Sequence, residues 1–359
     1  MRAVIWGTGG TAVEVLRQKL LYSKYEIAAF TDSDPESWGK VFWRGIPVVP
    51  PEEMKEISYD IVIVCSLYYE EIIDRMINDL QINRDRIITY KALEQEACKL
   101  VISKYENSTD TEIQEALDRF RQGKLSILGS YAPEVKEYHA VRRDEENFPY
   151  IMFGDKRMYY PKDHKFVKKN GVEAVEDVLY EQGGESPHLY IRDEKEIPDD
   201  AVIVDAGVCE GNFALRFVDR AKKIYLIESD VKWMEALRRT FREYQEKVVF
   251  CNKFLSGRDN ARETTLDSLV SEKIDFLKMD IEGAEVEALL GGKEVLLRSS
   301  ARCAVCSYHR QYDEKYISHI LESYGYKTSH SKGYMFFSYD DDINDTLDLR
   351  RGVVYGVKE

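Results

Sequence analysis

Short apolar runs recur along the chain, most of them followed by a stretch with helical spacing. Ala3–Trp6, Glu26–Thr31, Ile46–Val49, Asp60–Cys65 and Arg86–Thr89 read as strands. Val13, Leu16, Leu20 and Leu21 share one helical face, and Tyr69–Leu80 is a second helix. Such alternation predicts a parallel sheet. From about residue 96 only helical spacing remains. Ile113, Ala116, Leu117 and Phe120 form one face behind Thr109 and Glu112, which fit a capping box. Alternation returns with Val202–Gly207, Lys223–Ser229, Lys247–Cys251, Ile274–Asp280 and Ala301–Tyr308. The chain therefore reads as two α/β units in tandem, residues 1–95 and 151–359, joined by a helical linker over 96–150.

Each unit opens on a glycine turn. In the second, V-I-V-D-A-G-V-C-E-G-N (Val202–Asn212) runs from a buried strand through Gly207 and Gly211 into a helix. Glycine allows the sharp turn and the close approach of a ligand. Glu228 ends the next strand, where an acidic residue can take both hydroxyls of a ribose. In the first unit, Gly7, Gly9, Gly10 and Ala12 fit G-x-G-x-x-A, with Asp32 twenty residues beyond Ala12. That spacing suits NAD, with Asp32 on the ribose. The unit is short for a full dinucleotide fold, and no Tyr-x-x-x-Lys pair follows it. A domain with no ligand, serving oligomerisation, stays open beside the nucleotide readings, and a homo-oligomer with it.

Composition narrows the function. A net charge of −14 argues against a nucleic-acid substrate, because phosphate contacts need clustered cations. A local basic patch could still meet a small phosphorylated substrate. Lys162, Lys165, Lys168 and Lys169 are the densest such group, read either as a solvated face or as a phosphate anchor. No apolar run nears a membrane span, and the first residues start a strand rather than a signal peptide. Six scattered cysteines suit a reducing cytoplasm; Cys303 and Cys306 lie inside an apolar run, a poor setting for zinc or redox work.

V-D-A-G-x-x-E-G-N (Val204–Asn212), T-L-D-S-L (Thr265–Leu269) and K-M-D-I-E-G-A-E (Lys278–Glu285) together resemble the FkbM family of S-adenosylmethionine-dependent methyltransferases, from about Tyr160 to the C-terminus. The resemblance implies a class I methyltransferase sheet, its last strand antiparallel, with a final hairpin near Tyr334–Ser338 and Val353–Val357. It implies that Gly207 and Gly211 make room for the methionine part of the cofactor, that Asp205 and Glu210 hold its ammonium or order the loop, and that Asn212 and Ser229 line the site. Glu228 would take the ribose, Asn252 would lie at the adenine, and Asp280 would face the sulfonium. Asp280, Glu282 and His309 are the candidates to take a proton from an alcohol, and a magnesium ion on Asp280 is the alternative. Glu282 and Glu285 also favour a helix start through its dipole. His188 reads as a structural or gating residue.

A-F-T-D-S-D-P (Ala29–Pro35), G-I-P-V-V-P (Gly45–Pro50) and Y-D-I-V-I-V-C-S (Tyr59–Ser66) are similar to the N-terminal domain of bacterial sugar acyltransferases. That likeness implies a nucleotide-sugar at Gly7, Gly9, Gly10 and Asp32. The two resemblances imply O-methylation of a sugar hydroxyl on a small-molecule or glycan acceptor. An NAD-dependent oxidoreductase and a non-catalytic nucleotide-sugar-binding scaffold are the alternatives.

Overall fold

The computed structural model describes residues 1–131, 138–176 and 179–358. The chain divides into two compact units, Met1–Ser130 with Phe336–Leu349, and Tyr131–Met335 with Arg350–Glu359.

The first unit is built on strands β1 (Arg2–Trp6), β2 (Glu26–Thr31), β3 (Val41–Trp43), β4 (Ile46–Val49), β5 (Ile61–Val64) and β6 (Ile87–Thr89), in the order β3-β4-β2-β1-β5-β6. All pairs are parallel except β3 with β4. The expected strands are present, and β3, a three-residue edge piece, is additional. Strand order turns back at β1, between β2 and β5. Val4, Trp6, Val62 and Val64 fill one face of the sheet. Helices α1 (Gly10–Arg17), α2 (Lys19–Tyr22) and α3 (Tyr69–Asn78) accompany the strands, and α4 (Tyr90–Tyr105) and α5 (Thr111–Arg121) follow. The cap of α5 is Asp110, whose carboxylate accepts from the amides of Glu112 and Ile113; the Thr109 capping box expected from spacing is one residue off. Helix ends at Arg121, and strands begin by Tyr138, inside the stretch expected to be helical.

The second unit starts with two three-stranded antiparallel sheets. They are made by β7 (Tyr138–Ala140), β8 (Arg142–Arg143), β9 (Pro149–Phe153), β10 (Lys156–Tyr159), β11 (Val167–Lys169) and β12 (Val172–Glu176). Its main sheet holds β13 (Val202–Ala206), β14 (Lys223–Ile227), β15 (Val248–Cys251), then β18 (Phe276–Met279), β19 (Arg302–Cys306), β20 (Lys327–His330) and β21 (Val353–Val357); β16 (Phe254–Leu255) and β17 (Glu263–Thr264) pair separately. The order is β15-β14-β13-β18-β19-β21-β20, parallel up to β19, with β21 antiparallel to both neighbours. This is the expected class I methyltransferase sheet. Helices α6 (Asn212–Phe217), α7 (Val231–Thr240), α8 (Leu266–Leu269), α9 (Glu285–Leu290), α10 (Lys293–Arg298) and α11 (Asp313–Ser323) connect the strands.

The final hairpin differs from expectation. Its first strand is β20, not Tyr334–Ser338. The apolar run there has another use: Phe336 is fully buried in the first unit, edge-on to Phe120 at 5.4 Å, and its amide donates to Ile127 O. The excursion ends after α12 (Ile343–Thr346). Among the described residues no helix is long and apolar enough to cross a membrane.

Candidate active site

Strands β13, β14 and β18 end side by side because Ala206 pairs with both Ile227 and Met279. Their carboxyl ends open on a cavity of about 570 Å³. Gly207, Glu210, Asn212, Glu228, Ser229 and Asp280 line it, and Glu282 stands at its edge. Asp205, Gly211, Asn252 and His309 do not line it; they act on it from behind.

The glycines serve the protein itself. Both are left-handed, at φ 76° and 82°. A Cβ on Gly207 would fall inside the backbone carbonyl of Asp280, and one on Gly211 would come within 2.8 Å of Leu237 and 3.1 Å of Phe241. Close approach of the next strand and of α7 demands them, rather than the bulk of a ligand. Asn252 is also corrected: its amide donates to the carbonyls of Glu228 (2.8 Å) and Ser229 (3.1 Å), which fixes the end of β14. Lys253 and Phe254 line the cavity instead.

Glu228 braces the turn. Its Oε2 accepts from the amide of Cys209 (3.0 Å) and its Oε1 from that of Asp230 (2.8 Å). A carboxylate has about four acceptor sites, so a lone pair remains on each oxygen for a diol. Asp205 lies fully buried under the turn and pairs with Lys278 at 3.0 Å. Burial disfavours the ammonium, but Asp205 and Asp280 outweigh it, and the Lys278 pKa is raised.

Asp280 is the centre of the site. Its Oδ2 accepts from Tyr190 Oη (2.7 Å) and lies 3.2 Å from His188 Nε2, while its Oδ1 accepts from Tyr308 Oη (3.3 Å) and lies 3.5 Å from His309 Nε2. Burial would protonate it, yet His188, His309 and Lys278 hold its pKa well below the ordinary range. His188, Tyr190 and Tyr308 line the same cavity, as does Glu181, whose Oε2 is 3.0 Å from His188 Nδ1. Burial works against charge on His188, but Asp280 and Glu181 raise its pKa to about 9.

His309 stands behind this layer, with Nδ1 at 3.1 Å from Glu285 Oε1. Burial opposes its charge, and Glu285 and Asp280 raise its pKa nonetheless. Glu285 is wholly buried, and it also accepts from the amide of Ile281 at 2.9 Å. Glu285 holds the helix-start position expected from the dipole, and its pairing with His309 is additional to it. Glu282 projects outward, 84% exposed, with a left-handed backbone at φ 57°. Buried Arg350 donates to the carbonyls of Tyr308 (3.0 Å) and His309 (2.6 Å) and pins that loop.

The donor set fits a cation bearing a sugar diol and a flat ring. Carboxylates outnumber cations, Glu228 retains acceptors, and Ile227, Phe254 and Leu255 offer an apolar wall. It does not fit magnesium. Among the described residues, the two groups of ligating atoms close enough for an ion are His188, Asp280 and Cys306, and Asp280, Glu285 and His309. Both include an imidazole nitrogen and the first a thiol, whereas magnesium prefers oxygen ligands and water.

A second cavity, of about 540 Å³, lies at the carboxyl ends of β1, β2 and β5, lined by Gly7, Gly9, Asp32, Ser66 and Tyr68. An added Cβ on Gly9 or Gly10 would meet nothing within 4 Å. Asp32 is engaged: Oδ2 accepts from the amide and hydroxyl of Thr8, both at 2.7 Å, and Oδ1 from the amide of Asp34 at 3.0 Å.

Comparison with known proteins separates the two units. Residues 205–336 match the family described as Methyltransferase FkbM domain. The C-terminal unit carries a methyltransferase FkbM domain. Residues 1–88 match a family described as C2185-like, N-terminal. A methyltransferase FkbM from Methylobacillus flagellatus aligns at 15% identity over 99% of this chain and 89% of its own, with a TM-score of 0.48. A magnesium protoporphyrin IX methyltransferase from Synechocystis, solved with bound S-adenosylmethionine, aligns at 14% identity over 45% of this chain and 71% of its own, with a TM-score of 0.32. A methyltransferase of Streptococcus mutans, solved with S-adenosylhomocysteine, aligns at 15% identity over 45% and 91%, with a TM-score of 0.31. No curated protein matches the chain.

Proposed function

We propose that the FkbM-type unit binds S-adenosylmethionine in the 570 Å³ cavity and methylates a hydroxyl, in our reading that of a sugar in glycan or natural-product assembly. The observation that carries this reading is one cavity with Glu228 at one strand end and the Asp280 cluster at another. The bound cofactor would supply a methyl group on a sulfonium. The chain must then align an oxygen with it and keep water out. Glu228 has acceptors left for the ribose. Asp280, kept ionised by its donors, favours the positive charge in a partly desolvated site. Tyr190 and Tyr308 fix the carboxylate plane.

The sugar class is supported by the nucleotide-type cavity of the first unit, for which we propose a nucleotide-sugar. Open space at Gly9 and Gly10 favours a close ligand there, and the engagement of Asp32 by Thr8 disfavours NAD. The setting we infer is cytoplasmic, in keeping with six free cysteines. One calorimetric series tests the reading: the full chain titrated with S-adenosylmethionine, NAD and a UDP-sugar. Micromolar binding of S-adenosylmethionine is expected, followed by transfer of labelled methyl to a glycan hydroxyl. Tight binding of NAD with no response to S-adenosylmethionine would reverse it.

A further inference from the structure

The proton of the acceptor hydroxyl needs a destination, and the residues expected to take it are poorly suited. Asp280 is surrounded by four donors, His309 is screened from the cavity, and Glu282 points outward. A residue set aside as structural has the better geometry. His188 lines the cavity, with Nδ1 on Glu181 at 3.0 Å and Nε2 toward Asp280 Oδ2 and Tyr190 Oη, both at 3.2 Å. A carboxylate on one ring nitrogen fixes the tautomer and leaves the other nitrogen for proton transfer. Resting on the methyltransferase reading above, we propose that His188, oriented by Glu181, is the general base, and that it is armed when a sulfonium takes its place against Asp280.

The groups facing His188 are Glu181, Asp280, Tyr190, Tyr308 and the Cys306 thiol, the last at 3.6 Å from Nε2. Before cofactor binding, the two carboxylates keep the imidazole protonated, with its pKa at about 9. It cannot then accept a proton. Positive charge brought to Asp280 competes for the carboxylate that His188 depends on. A unit charge a few ångströms away at intermediate dielectric lowers proton affinity by roughly 10²–10³-fold. His188 then discharges near neutral pH, with Nδ1–H still held by Glu181. In the transfer, the C–S bond breaks with its electron pair returning to sulfur, as the acceptor oxygen forms the new C–O bond. The hydroxyl proton passes to His188 Nε2. Loss of the sulfonium charge restores the resting attraction of Asp280 for the imidazolium, so the base is disarmed after each turnover.

This device can be read without knowing the acceptor. The full chain is titrated calorimetrically at neutral pH with S-adenosylmethionine and, separately, with S-adenosylhomocysteine, each in two buffers of different ionisation enthalpy. The sulfonium form should release about half to one proton more per site than the neutral thioether, after correction for the amino group of each free ligand, whose pKa the sulfonium lowers. In His188→Gln this difference should vanish while S-adenosylmethionine still binds, and in Glu181→Gln it should move to lower pH. Equal proton release by both ligands in the unaltered protein, which depends on no variant folding, would overturn the proposal and leave the methyltransferase reading standing. A difference that persists in His188→Gln would also overturn it. Binding of neither ligand would remove the methyltransferase reading, and this proposal with it.

Discussion

The two α/β crevices of this chain share a frame and differ in what stands beside it. In each, an acidic residue at the end of the second strand braces the glycine turn. Asp32 accepts from the amide of Thr8 and from that of Asp34, two residues on; Glu228 does the same with Cys209 and Asp230. The difference lies at the next strand end. After β5 come Cys65, Ser66 and Leu67; after β18 comes Asp280, met by two histidines and two tyrosines. The shared frame can hold a ligand. At that strand end the second crevice sets a carboxylate among imidazoles and phenols, and the first does not.

The sharpest break of this comparison is at Asp280. Asp280→Asn keeps the shape and removes the charge, so methyl transfer should fall by about 10²–10⁴-fold in single turnover at saturating cofactor. Cys65→Ala, at the matching place in the first unit, where the Cys65 amide donates to Trp6 O as that of Asp280 does to Ala206 O, should leave transfer unchanged. Glu285→Ala should act differently again. It strands His309 beside an empty buried pocket, and breaking such a pair costs about 3–5 kcal/mol. Its signature in denaturant titration is a lowered midpoint with an unchanged slope. A solvated helix-start glutamate would cost about 1 kcal/mol or less, and that result would return Glu285 to the surface.

These residues also mark how far the sequence could be read. The strand ends carrying Glu228 and Asp280 were legible, because a carboxylate closing a buried apolar run has few structural reasons to be there. The expected sheet order and antiparallel last strand are present as well. The reason for Gly207 was hidden, since the atom it avoids belongs to Asp280, some seventy residues away in the chain. Glu181 and Tyr190 were invisible to periodicity because Glu181 lies in a single 3₁₀ turn, Tyr180–Gln182, and Tyr190 lies outside any element. The one signal was a histidine between two apolar-flanked residues, in Ser186-Pro187-His188-Leu189-Tyr190. Glu285 does stand in the first turn of α9 as expected, but its burial was hidden, because a helix-start position explains a glutamate without it and burial there depends on the loop after β19.

A second test separates the crevices by pH. His188 is protonated in the fold with its pKa raised from 6.5 to about 9. Its contribution to stability is therefore complete below about pH 6.5 and lost as pH rises through about 9. The full effect is on the order of 3 kcal/mol. Thermal melts of the ligand-free protein between pH 6 and 10 should show this loss in the second unit, and His188→Gln should flatten it. A profile that is flat in the unaltered protein would mean that His188 is neutral at rest.

The smallest expected effect is at the bracing carboxylates. Glu228→Ala should weaken S-adenosylmethionine by about 1.5–3 kcal/mol through lost charge-assisted bonds to the ribose. Asp32→Ala should not change that affinity, although it loosens its own turn. Equal losses from both substitutions in a binding titration would dissolve the distinction between the crevices.

The excursion Phe336–Leu349 has a consequence for how the protein is made. The first unit is assembled from Met1–Ser130 and from the fourteen residues Phe336–Leu349, some two hundred residues further along the chain. While it emerges from the ribosome, Phe120 and the Ile127 carbonyl await a partner, Phe336, that is translated some two hundred residues later. The first unit cannot close as a finished body until that segment has been made. A gene cut after codon 130 would yield the first unit with part of its own core missing.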